Sequence, residues 1–144
     1  MTSAFYVAEN EAITASLIAD DKKRLQALPQ YFGDRHMLRT EMQIYHFLDL
    51  LAADYKGGFW NYYSLSNGGF YMAPVSPAEL NCVWTDNYFE GRMSADAAGI
   101  TACLFAINMM ANVTFEDRFS ELFYQLREYA FSHPEAALII RAID

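Results

Sequence analysis

Apolar and polar positions follow a helical period between Arg39 and Tyr55. Ile44, Phe47, Leu48, Leu51 and Tyr55 share one side of a helical wheel, with Met42, His46, Asp49 and Ala53 opposite. The spacing predicts an amphipathic helix that ends at Lys56-Gly57, where a lysine meets the last carbonyls and a glycine accepts a left-handed conformation. Upstream, Ile13, Leu17, Ile18 and Leu25 form a less regular stripe, which predicts a first helix over Glu9 to Leu28. The solvated cluster Asp20-Asp21-Lys22-Lys23-Arg24 interrupts that stripe, and Pro29 to Asp34 reads as a loop.

After Gly57 the pattern changes. Asp54 to Pro74 holds seven aromatics and four glycines in 21 residues. Phe59 to Tyr63 is rich in residues that strands favour. Asn67-Gly68-Gly69 tolerates the positive φ of a tight turn, and Phe70 to Met72 returns as the partner strand before Pro74. Asn81 to Thr85 predicts a third strand, and a short fourth includes Tyr88-Phe89-Glu90. Such short connections favour an antiparallel meander. Ser94 is a good N-cap for a helix from Ala95 to Ala111 that is apolar nearly all round, and so central. Thr114 reads as the cap of the next helix, with Phe115, Phe119, Leu122, Phe123, Leu126 and Ala130 as its buried stripe. Pro134 fits the first position of a last helix ending near Ala142. The sum is an α+β single domain: a small antiparallel meander of three or four strands, with about five helices packed mainly on one face.

Composition narrows the function. At 144 residues and 53% hydrophobic content, the chain can form a core without metal or disulfide support. Cys82 and Cys103 fall on a predicted strand and a predicted apolar helix, as reduced core thiols. The N-terminus lacks the charged and apolar regions of a signal peptide, so a cytoplasmic location is expected. The run Ala97 to Val113 is shorter than the ~20 residues of a membrane span and is broken by Thr101, Asn108 and Asn112. The net charge is −8, and residues 57–91 contain no Lys or Arg, which disfavours direct nucleic-acid binding.

Three ordered blocks carry a resemblance. Residues 57–74 read GGFWNYYSLSNGGFYMAP, Met93 to Leu104 read MSADAAGITACL, and Phe123 to Glu135 read FYQLREYAFSHPE. With compatible spacing from about Pro29 to Asp144, the chain resembles the ArdB/KlcA family of antirestriction proteins. The resemblance covers roughly four fifths of the chain, which divides it into an N-terminal helical segment, 1–28, and an antirestriction domain, 29–144, in one globular unit. It implies a non-enzymatic protein of plasmids, phages and genomic islands that relieves type I restriction, with the restriction complex or a host factor controlling it as partner. Acidity raises the alternative of DNA mimicry. One duplex turn carries about twenty phosphate charges, whereas this chain has 18 acids, scattered and offset by ten bases.

Enzyme chemistry finds little support in the residues. There is no pair of helical metal ligands at i and i+4, no nucleophile elbow and no phosphate loop. A metal-dependent hydrolase acting on nucleotides, the alternative enzyme, would need distant ligands such as His36, His46 and Asp49 to converge. His133 precedes Pro134, where capping or exposure is expected. No catalytic, cofactor or metal residue is predicted. Partner contact has better candidates. Tyr124 points away from the buried stripe of its helix and shares a face with Asp117, Glu121 and Glu128. It serves either recognition or packing beneath another segment. Arg141 and Asp144 form a charged chain end that is either a contact or a frayed terminus. Trp60, Tyr62, Tyr63 and Tyr71 either stack on single-stranded nucleic acid or belong to the core under a covering helix.

Overall fold

The computed structural model describes residues 12–144. Five strands and five α-helices follow in the order β1 (Ala15–Leu17), α1 (Asp21–Phe32), α2 (Met37–Leu51), β2 (Trp60–Leu65), β3 (Phe70–Pro74), β4 (Leu80–Trp84), β5 (Phe89–Met93), α3 (Ala95–Thr114), α4 (Asp117–Ser132) and α5 (Ala136–Ile143). The α+β class and the helix number match the reading of the sequence. The strands differ in arrangement: they form two antiparallel sheets, β1-β2-β3 and β4-β5, instead of one meander.

Helix α3 organises the fold. Ser94 caps it by accepting from the Ala97 N–H at 3.1 Å. Its twenty residues span about 30 Å, and twelve of them are buried. By length and composition α3 could cross a membrane, but here α2, α4, α5 and β3 cover it. Gly99 lets α3 approach β3 so closely that an added Cβ would stand 2.6 Å from the Ala73 Cα and 2.8 Å from the Met72 carbonyl. Phe32, Phe70 and Phe119 fill the adjoining core with no exposed surface. Each contributes roughly 1.5–3 kcal/mol by burial.

The first predicted helix is the largest correction. Residues 9–11 of that span lie outside the described residues. Ala15–Leu17 is a strand paired to Leu65–Tyr63 of β2, because the open edge of β2 satisfies backbone groups that an interrupted stripe could not bury. The charge cluster starts a helix: Asp20 caps α1 through the Lys23 N–H at 3.0 Å. That helix continues through Pro29, predicted as loop. Proline forfeits one backbone bond there, to the carbonyl of Leu25, whose side chain is 81% exposed.

Helix α2 ends at Leu51 and not at Lys56, because Ala52 turns extended and bridges Cys82 of β4. Thr114 closes α3 and does not open α4: its hydroxyl donates to the Met110 carbonyl at 2.7 Å. Phe115 therefore sits in the left-handed region (φ 59°) and is exposed, not buried as expected. The last helix begins at Ala136, two residues after Pro134.

Candidate functional site

Helix α4 buries Phe119, Leu122, Leu126 and Ala130. Residues three and four apart share a face, so Asp117, Glu121, Tyr124 and Glu128 stand together on the opposite, solvent-facing side. Tyr124 is 63% exposed and meets Phe123 edge to face at 5.5 Å. Among the described residues no other segment hides the ring. Phe131, also exposed, extends the face, with the Arg127 guanidinium 4.8 Å from its ring centre. Arg141, on α5, and Asp144, just beyond its last residue, stand elsewhere. Arg141 lies 5.4 Å from the Phe89 ring centre, and the Asp144 N–H donates to the Ile140 carbonyl. Among the described residues no hydrogen bond or ion pair joins this chain end to the α4 face.

The strand aromatics belong to the core. Trp60, Tyr62 and Tyr71 are buried, and Tyr63, Tyr71 and Tyr129 stack in a column at 4.7 and 5.8 Å. They offer no open platform for bases. Both thiols are buried as well, and burial pushes Cys82 and Cys103 up to about 12. Such thiols are poor nucleophiles, since the thiolate is the reactive form.

A polar network under α3 was missed in the sequence. The Tyr71 hydroxyl donates to Asp96 Oδ1, and His133 Nε2 meets Asp96 Oδ2, both at 2.8 Å. His133 Nδ1 accepts from the Glu135 N–H at 3.0 Å, so the ring proton resides on Nε2 and is given to Asp96. Glu135 in turn accepts from the Ser94 N–H and hydroxyl. Burial, followed by the Asp96 charge, raises the Tyr71 phenol well above its usual range. His133 is thus buried, not exposed, and its bonds tie the start of α3 to the α4–α5 corner. Spacing offered no signal for this, because Asp96 and His133 are 37 residues apart.

The three groups proposed for a metal do not converge. His36 bonds Glu116 at 2.8 Å, while His46 and Asp49 stand exposed along α2. Among the described residues no cluster of three His, Cys, Asp or Glu is placed to hold a metal ion.

Residues 53–144 match the family described as antirestriction protein. The chain belongs to the antirestriction protein family. Two Escherichia coli antirestriction proteins KlcA are each 44% identical to it, over 140 and 138 residues. These alignments cover 94% and 92% of this chain and 98% and 94% of theirs. The similarity therefore reaches into the first 28 residues, beyond the blocks recognised in the sequence. A solved structure superposes with a TM-score of 0.85 at 45% identity, covering 93% of this chain and 96% of its own. It comes from work on the KlcA and ArdB proteins, described as having a novel fold and antirestriction activity against type I DNA restriction systems in vivo but not in vitro.

Proposed function

We propose that this protein relieves type I restriction inside the cell, in the cytoplasm, by contact with a protein partner and without catalysis. The observation that carries the reading is full-length similarity to a structure whose protein acts in vivo but not in vitro. A protein that blocked the purified enzyme directly would act in both settings. A host factor controlling the restriction complex is therefore the favoured partner, and the face of Asp117, Glu121, Tyr124 and Glu128 is the favoured contact. Tyrosine suits such a surface because it brings area at little entropic cost.

Charge geometry speaks against mimicry of DNA. Helix α4 has 16 residues, about 24 Å of axis. Duplex DNA presents about fourteen charges over that length. The outer face of α4 offers the three acids Asp117, Glu121 and Glu128, and the same helix carries Arg118 and Arg127.

The test is the plating efficiency of unmodified phage on a host with a type I system, with and without the protein, scoring modification of the surviving phage. Relief with modification preserved is expected. Glu121→Lys together with Glu128→Lys should abolish relief while leaving stability within about 0.5 kcal/mol, as for exposed substitutions generally. Full activity in that folded variant would remove this face from consideration.

A further inference from the structure

Tyr45 of α2, Tyr55 of the following loop and Trp60 at the start of β2 line one cleft of ≈ 530 Å³, with Asp49, Lys56, Gly57 and Gly58 around its mouth. This volume lies within the range of about 300–1,000 Å³ common for ligand pockets. The rings are set at steep angles. Tyr45 meets Trp60 at 5.0 Å and 70°, and Tyr55 meets it at 6.1 Å and 89°. Hydrogen bonds fix them: the Trp60 indole N–H donates to the Tyr55 hydroxyl at 2.7 Å, and the Tyr45 hydroxyl donates to Glu41 at 2.8 Å.

The half-buried rings of Tyr45 and Tyr55, standing over a Trp60 floor that is 5% exposed, beside the Asp49 carboxylate, are the chemistry that holds an organic cation, since ring faces are negative and desolvated. The neighbouring residues already show it. Arg24 stands 4.6 Å from the Phe59 ring centre and 4.3 Å from that of Tyr62, and donates to the Trp60 carbonyl. Among the described residues, no cation of the chain stands over Tyr45, Tyr55 or Trp60 in the same way. We infer that this cleft is a cage for a cationic side chain, the ammonium of lysine or methylated lysine, presented by another polypeptide.

A polypeptide source is favoured by the mouth of the cleft. Among the described residues nothing lies within 4 Å of where side chains on Gly57 and Gly58 would begin, so a chain can pass over this lip while its stem reaches the rings. Asp49 favours the incoming cation. Lys56 opposes it and is available for a carbonyl or carboxylate of the incoming chain. The site shares no lining residue with α4, and its test does not depend on relief of restriction.

The probe is Nα-acetyl-trimethyllysine methylamide, titrated into the full chain and followed by the Trp60 indole N–H resonance, assigned with Trp84→Phe. A saturable shift is expected. The neutral isostere with carbon in place of the ammonium nitrogen should bind at least about 10-fold more weakly, corresponding to a cation–π advantage near 1.4 kcal/mol. Asp49→Asn should weaken binding about 3-fold and Lys56→Gln should tighten it by a similar factor; both residues are exposed, so the fold is retained. Equal affinity for the isostere, or no saturable shift in folded protein, would overturn the cage. Opposite signs for the two variants would show an anion site and overturn it equally. Tetramethylammonium binding as tightly as the side-chain probe would overturn the polypeptide source.

Discussion

Replacing Gly99 by Ala tests whether the closeness of α3 to β3 is the constraint that sets the core. In an unconstrained helix interior the change would stabilise by about 1 kcal/mol, because alanine is the better helix former. Here the new methyl would meet the Ala73 Cβ, the Ala73 Cα at 2.6 Å and the Met72 carbonyl at 2.8 Å. Two of these three atoms are backbone, so no rotamer change relieves the contact and α3 must move off the sheet. Overpacking of this kind costs about 3 kcal/mol at the upper end of its usual range. The net expectation is a loss of about 2 kcal/mol, or roughly 6–8 °C in Tm for a chain of this size. Urea denaturation of wild type and variant measures it. Adding Ala73→Gly removes one of the three contacts and should recover part of the loss, not all. A Gly99→Ala protein as stable as wild type would refute the reasoning, since the helix would then have room that the geometry denies.

His133→Ala leaves one Asp96 oxygen and the Glu135 N–H without their partner. Asp96 is partly exposed and can turn to water, so a loss of about 1–3 kcal/mol is expected, read as a lower urea midpoint. An unchanged midpoint would mean the network does not hold the α3 start to the α4–α5 corner. The buried thiols give a pH dependence. Their folded values, about 12, exceed the ordinary value of 9.0, so above pH 9 the unfolded chain releases protons that the native one keeps. Stability is full below that point and falls as pH rises toward 12, with the raised Tyr71 phenol adding in the same direction. Urea midpoints should therefore drop between pH 8 and about pH 10.5, and a constant or rising midpoint contradicts the burial. At pH 8 a disulfide reagent should leave both thiols untouched in native protein and titrate both in denaturant.

Regular periods were legible in the sequence, and long-range competition was not. The stripe of α2, the all-apolar α3 and the cap at Ser94 were read correctly because each depends on residues within a turn or two. The segment before Asp20 was misread as helix because its strand pairing is supplied by β2, some 46 to 50 residues away. The end of α2 was misplaced for the same reason: Cys82 draws Ala52 into a bridge before the glycines at 57 and 58 are reached. Phe115 shows the limit of a stripe. Its spacing matches the buried face of α4, but Thr114 satisfies the end of α3 and pushes Phe115 into the corner between the helices. The exposed face of α4 was legible as a direction on a wheel. The Tyr71–Asp96–His133 network was not, since three elements must meet before it exists.

The block that marks the family is a packing block. Within residues 57–74, Trp60, Tyr62, Leu65 and the whole of Phe70–Pro74 are buried, and the second block contains Gly99, where helix meets strand. Likeness in these blocks transmits the arrangement of α3 against β3. It bears on the proposed contact surfaces only indirectly, by fixing where α4 and the Tyr45–Trp60 cleft come to lie. The two kinds of substitution should therefore separate cleanly. Changes at Gly99 or His133 act on the urea midpoint, and on relief of restriction only as far as folded protein is lost. Changes at Glu121 and Glu128 act on relief with the midpoint unmoved, because side chains in solvent contribute little to folding. Finding both effects in one class of variant would mean that the α4 face and the core are not independent, and the proposed contact through exposed side chains of α4 would fall.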